Sequence, residues 1–206
     1  MVAFTWHAPA PTAEPPAKVV SMRAAVAEML ASAIFVFVGC GAACANGASD
    51  GETNLVVAFT FGLSILVLAS AVGHHSGGQI NGAVTFSLCL GGELPWLQGA
   101  VNVAMQLLGS TLGACLLMAV FPCHMDKTKS LGSNIINHKS YSIPNVLVGE
   151  AMGTFLLCTT VWEVAVSPLS KAGALAVIPI GFAVFLAHTV MLPIDGCSIN
   201  PTRSFG

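Results

Sequence analysis

Ser76-Gly77-Gly78-Gln79-Ile80-Asn81-Gly82-Ala83 (residues 76–83) and Gly196-Cys197-Ser198-Ile199-Asn200-Pro201-Thr202 (residues 196–202) are the two stretches on which the fold turns. Each interrupts an otherwise apolar run. The first, led by His74 and His75, is too polar and glycine-rich to cross a bilayer, and the apolar stretch behind it, Ala83 to Leu90, is only about two helical turns long. Each stretch also places an Asn where a short helix should begin. Asn is a favoured N-cap because its side-chain oxygen takes an N–H two or three residues on. Its amide NH2 is then expected to stay free as a donor. Pro201 suits the first helical position, where its missing N–H costs nothing.

The surrounding composition supplies the solvent. The chain has 206 residues, 55% hydrophobic and 8% charged, with a mean hydropathy of +0.81. A soluble domain carries roughly 25% charged residues, so the bilayer is the expected medium. No Asp, Glu, Lys or Arg occurs from Met29 to Ser49, Thr53 to Gly92, Leu94 to Met125 or Ala172 to Ile194. With about 20 apolar residues needed per crossing, the chain reads as five spans: about 23–45, 54–73, 95–121, 145–166 and 172–193. A polar turn through Asn46, Asp50 and Glu52 joins the first two, and a loop over 122–144 joins the third and fourth. Residues 1–22, with Pro9, Pro11, Pro15 and Pro16, are expected to be a disordered tail. A net charge of -2 excludes a basic nucleic-acid binder, and seven cysteines, an odd number set mostly in apolar runs, exclude a disulfide-framed secreted scaffold.

The two halves repeat. Ile80-Asn81-Gly82-Ala83 aligns with Ile199-Asn200-Pro201-Thr202 at an offset of 119, and the same offset sets Gly62 on Gly181. Glu28 and Glu150 correspond at a slipped offset of 122. A full unit of three spans plus one broken segment crosses an odd number of times, so the second copy lies inverted. The fold class is therefore an all-α, inverted-repeat membrane bundle with two re-entrant half-helices, forming one domain over 23–206 (repeat one about 23–121, repeat two about 145–206). Gly109 with Gly113, and Gly149 with Gly153, make GxxxG pairs suited to close helix crossings. The Lys and Arg distribution does not settle the orientation.

The paired segments resemble the two Asn-Pro-Ala signature loops of the aquaporin (major intrinsic protein) family, and the resemblance runs from about Arg23 to the last residue. It implies a homotetramer of six-span subunits, each with its own water pore, and no cofactor. The implied selectivity filter is Phe61, His188, Cys197 and Arg203, similar to that of water-selective members; glycerol-conducting relatives usually have a small residue in place of His188 and an Asp where Ser204 stands. The implied signature-loop positions are Asn81, Gly82, Ala83, Asn200, Pro201 and Thr202. Gly82 replaces the first signature Pro and Thr202 the second Ala, departures that bear on the asparagine geometry. The second half-helix is short and no sixth span follows, which reads as a fragment of a longer chain.

Simpler readings stand beside these. Acids within spans are functional candidates by default; for Glu28 and Glu150 the expectation is structural, each accepting N–H groups of a neighbouring broken loop, with a proton-carrying pair as the alternative. His188 alone could be a satisfied core histidine. Cys40, Cys44, Cys89, Cys115 and Cys158 read as small buried packing residues. The leading function is a passive, single-file water channel, with Arg203 opposing cations and with His188 and loop carbonyls replacing lost water hydrogen bonds. Alternatives are a channel for small neutral solutes (glycerol, urea, ammonia, peroxide) and a non-conducting scaffold of the same fold. No sequence feature singles out a nucleophile beside His188, so no enzyme is expected.

Overall fold

The computed structural model describes residues 20–47 and 51–206. Most of the expected N-terminal tail (1–19) and part of the first polar turn (48–50) lie outside the described residues. The tail boundary moves: Ser21 is not tail but the N-cap of the first helix, its hydroxyl accepting the Ala24 N–H at 3.3 Å and its own N–H donating to Gln98 Oε1 at 2.7 Å.

Every regular element among the described residues is helical. Helix α1 covers Met22–Asn46, α2 Gly51–Ser76, the short α3 Gly82–Leu90, and α4 Trp96–Val120. Helix α5, Ile143–Val161, runs into a wide π turn at Trp162–Val166, and a 3-10 turn at Gly173–Ala176 leads into α6, Val177–Asp195. The chain ends with α7, Pro201–Phe205. Five of these helices are long and apolar enough to cross a membrane, by length and composition.

Helix α1 packs on α2 and α4, α2 on α6, and α5 on α6. The α2–α6 contact joins the halves at matched residues. A Cβ on Gly62 would lie 2.7 Å from the Gly181 carbonyl oxygen, and one on Gly181 would lie 2.8 Å from that of Gly62. Only hydrogen fits at either position, so the two glycines sit on the pseudo-twofold relation between repeats. Gly109 and Gly113 let α4 approach the α1 backbone at Met29 and Ala33 in the same way.

Outward faces are apolar: Leu108, Leu112 and Leu116 on α4 and Leu147, Met152 and Phe155 on α5 are exposed. Patches of this extent are hydrocarbon-facing surfaces. Cys115 is among the exposed residues and Cys158 is half-buried, correcting the expectation that both pack inside. Position 115 lies between Leu112 and Leu116 on the outward side of α4, where an apolar thiol faces the same medium as its neighbours.

Candidate pore and selectivity site

The two interrupted stretches fold into matching loops. Gly77, Gly78 and Ile80 in the first, and Gly196, Cys197 and Ile199 in the second, all have positive φ. A β-branched residue in the left-handed region costs about 1–3 kcal/mol and persists only where its surroundings hold it. Two acids supply that hold, Glu28 fully buried and Glu150 only half-buried. Glu28 accepts the Gln79 N–H at 2.9 Å and the Ile80 N–H at 2.6 Å; Glu150 accepts the Ser198 N–H at 2.8 Å and the Ile199 N–H at 2.6 Å. Glu28 also accepts the Ser76 hydroxyl at 2.5 Å and the Gln106 amide at 2.7 Å.

At the end of each loop an asparagine caps a half-helix. Asn81 Oδ1 accepts the Ala83 N–H at 2.8 Å, and Asn200 Oδ1 accepts the Arg203 N–H at 3.3 Å. Their amide groups, expected from the sequence to stay free, are engaged. Asn81 Nδ2 donates to the Ile199 carbonyl at 2.7 Å and Asn200 Nδ2 to the Ile80 carbonyl at 2.8 Å. An amide has two N–H groups, so this bond consumes one and leaves the second. The cross-ties hold the N-termini of α3 and α7 against each other. At this junction Gly82 donates to Thr202 Oγ1 at 3.2 Å and to Asn200 Oδ1 at 3.4 Å. Gly82 and Pro201 fill the first positions after their caps, and Ala83 and Thr202 the second.

Phe61 on α2, His188 on α6, and Cys197 and Arg203 flanking Asn200 form one cluster. The Phe61 ring stacks on His188 with centroids 4.4 Å apart, and the Arg203 guanidinium carbon lies 5.1 Å from the Phe61 centroid. Gly39 on α1 makes room for this ring, since any Cβ there would overlap it. Arg203 is fully engaged on one side: Nη1 donates to the Cys197 carbonyl at 2.9 Å and to Asn134 Oδ1, and Nη2 to the Gly132 carbonyl at 2.7 Å. His188 Nδ1 lies 2.8 Å from the Val184 carbonyl. A carbonyl only accepts, so Nδ1 carries a proton, and in the neutral ring Nε2 is then a bare acceptor. That Nε2 is buried with no protein partner.

Cavities lie on both sides of this constriction. One of about 430 Å³ is bordered by Phe61, Lys127, Asn137, Asp195 and Arg203. The other, about 40 Å³ and on the scale of a few waters, runs past Asn81, Val84, Leu88, Leu157 and Val184. The wide side is shaped by the loop after α4. There Asp126, buried rather than a freely solvated loop charge, accepts the Thr128 N–H and hydroxyl at 2.9 and 2.6 Å and the Leu131 N–H at 2.7 Å. Burial works to raise this carboxyl, but those hydrogen bonds outweigh it and hold its pKa down at about 2. The fold of this loop presents Gly132 and Asn134 to Arg203.

Several residues of the site escaped the sequence reading. Gln106 and Asn102 on α4, Asn134 and Asp126 in the loop, and Asp195 at the end of α6 are all placed by tertiary contacts. A signal existed for the first two: amides four residues apart share one face of an apolar helix, and such groups mark polar contacts inside a bundle. Among the described residues, no group of three or more His, Cys, Asp or Glu side chains is placed to hold a metal ion.

Opposed half-helices, cross-tied at their N-termini between two cavities, define a multi-pass integral membrane channel built as an inverted repeat. A family model described as "Major intrinsic protein" matches residues 16–206, and the chain belongs to this channel family. It is similar to human Aquaporin-5, at 37% identity over 185 residues that cover 90% of this chain and 68% of the relative. It is also similar to Aquaporin TIP2-1 of Zea mays, at 37% identity over 195 residues covering 90% of this chain and 75% of that one. Among solved structures, the aquaglyceroporin from Plasmodium falciparum shares the fold, with a TM-score of 0.72, 19% identity, and coverage of 90% of this chain and 78% of that one.

Proposed function

We propose that this protein is a passive channel for single-file water that excludes protons and ions. The observation that carries the reading is the constriction itself: an aromatic ring stacked on an imidazole and next to a tethered guanidinium, with the imidazole Nε2 buried and without a protein partner. Water entering a single file loses hydrogen bonds and needs replacements. His188 Nε2 accepts, the second N–H of each asparagine donates, and Arg203 supplies a fixed positive charge against cations. Phe61 adds no polar partner and sets the width. The aquaporin relatives support water as the permeant, the apolar outward faces support a place in the bilayer, and the family resemblance alone supports a homotetramer.

The test is osmotic. Reconstituted vesicles should shrink under an impermeant osmolyte several-fold faster than empty liposomes, and should not re-swell faster in glycerol. Glycerol flux matching the water response would favour a channel for small neutral solutes. Shrinkage no faster than empty liposomes, with folded tetramer verified by cross-linking, would favour a scaffold.

A further inference from the structure

Gly82 and Thr202, the two departures from the signature pattern, meet at the junction of the half-helices. A Cβ on Gly82 would lie 2.8 Å from Thr202 Cγ2, closer than real contacts allow. Gly82 keeps an N–H that a proline would lack, and this N–H donates to the Thr202 hydroxyl at 3.2 Å. A proline at 82 would therefore collide with the threonine methyl and remove the donor to its hydroxyl. Conversely, alanine at 202 beside glycine at 82 would leave a gap and a weakly partnered N–H near the junction.

The hydroxyl does more than fill space. It lies 2.7 Å from Asn200 Oδ1 and 3.3 Å from Gln106 Oε1. Gln106 has its orientation fixed, because its Nε2 faces the acceptor-only carboxylate of Glu28 at 2.7 Å and Thr85 Oγ1 at 3.0 Å. Its Oε1 must then point to Thr202. The Thr202 oxygen is thus set among two acceptors and one donor, all buried. Its single proton goes to the nearer acceptor, Asn200 Oδ1, while a lone pair takes the Gly82 N–H. Gln106 Oε1 lies 3.3 Å from the same oxygen and shares no proton while that bond is made.

We propose that Gly82 and Thr202 act as one matched pair, in which the Thr202 hydroxyl positions the side-chain amide of Asn200 across the half-helix junction. With its Oδ1 pinned by Thr202 and by the Arg203 N–H, the amide keeps its Nδ2 on the Ile80 carbonyl and its second N–H toward the permeation path. The transport readout of this proposal rests on the channel reading above; the packing readout does not.

Five full-length proteins test it: wild type, Thr202→Ser, Thr202→Val, Gly82→Pro, and Gly82→Pro with Thr202→Ala. Osmotic water permeability per folded protein and unfolding temperature in detergent are measured for each. Serine keeps the hydroxyl and should stay within about twofold of wild type, whereas isosteric valine should lose about tenfold in permeability, the effect of stranding a buried polar group. Gly82→Pro alone should fall by a similar factor and unfold at a lower temperature; adding Thr202→Ala removes the clashing methyl and should recover most of the unfolding temperature but, lacking the hydroxyl, not the permeability. Valine at wild-type flux, serine as impaired as valine, or a double variant that unfolds at no higher temperature than Gly82→Pro would overturn the proposal. If the wild type itself carries no water, the channel reading fails, and the same five unfolding temperatures still decide the pairing.

Discussion

Asn81 and Asn200 tie each other's loops: each donates its side-chain amide to the carbonyl of the residue preceding the other, Ile199 and Ile80, at 2.7 and 2.8 Å. The two bonds are copies of one another under the repeat, so one solution to the problem of ending a loop inside a membrane is used twice. Each asparagine is both a cap for its own half-helix and a clamp on the other.

Asn81→Ala and Asn200→Ala should therefore each cost more than an ordinary cap, whose loss is about 1 kcal/mol. Because both bonds hold the same junction, the double variant should lose less than the sum of the singles. Thermal unfolding of the four proteins in detergent measures the coupling. Strict additivity would mean that the cross-ties do not act together.

The two loop-holding acids are not equivalent: Glu28 is buried and Glu150 half-buried. On Glu28, the Ser76 hydroxyl and Gln79 N–H meet one oxygen, while the Ile80 N–H and Gln106 amide meet the other. Glu28→Gln turns one of those oxygens into a donor: on one side it opposes the Ile80 N–H and the Gln106 amide, on the other the Gln79 N–H, where the Ser76 hydroxyl alone can turn to accept. Glu150 offers one loop N–H to each oxygen and faces the Asp195 carboxyl as well, so Glu150→Gln breaks one such bond and relieves a like charge. Bonds to a charged group are worth about 1.5–3 kcal/mol each. The yield of folded Glu28→Gln should accordingly fall well below that of Glu150→Gln; equal yields would contradict the geometry.

A pH effect is expected at the wide mouth. The Asp126 pKa is held at about 2 in the folded chain, below its ordinary 3.8. A depressed carboxyl stabilises the fold above its ordinary value, and that contribution is lost as pH falls from about 4 toward about 2. Amide exchange in the 126–132 loop, corrected for its intrinsic pH dependence, should be steady from pH 7 to about 5 and quicken below about 4. Asp126→Asn should quicken exchange at neutral pH and flatten the acid response.

Much of this architecture was legible before the structure. Four charge-free runs and the apolar stretch 145–166 marked five spans, and the 119-residue offset joining Asn81 to Asn200 and Gly62 to Gly181 implied inversion; in the structure Gly62 and Gly181 touch. Phe61, His188, Cys197 and Arg203, named from the resemblance, come together in one cluster. The network around them was not legible. Gln106 and Asn102 look like isolated polar residues in an apolar helix, and only the fold shows that they face Glu28 and Gln79. Asn134 sits in a loop without periodicity, and its bond to Arg203 depends on turns set by Asp126. The asparagine amides were misjudged for a related reason: a capping pattern describes one loop, whereas their partners belong to the other.

The central claim is that Phe61, His188 and Arg203 make the width and polarity of a water filter. The most direct measurement compares water and glycerol permeability of wild type, His188→Gly and Phe61→Ala in the same vesicles. Removing either ring opens the 4.4 Å stack. Glycerol flux should then rise by about tenfold or more, as a lost steric barrier of a few kcal/mol requires, and water flux should change with it. Water and glycerol fluxes that both stay at wild-type values in His188→Gly and Phe61→Ala would contradict the filter and the account built on it.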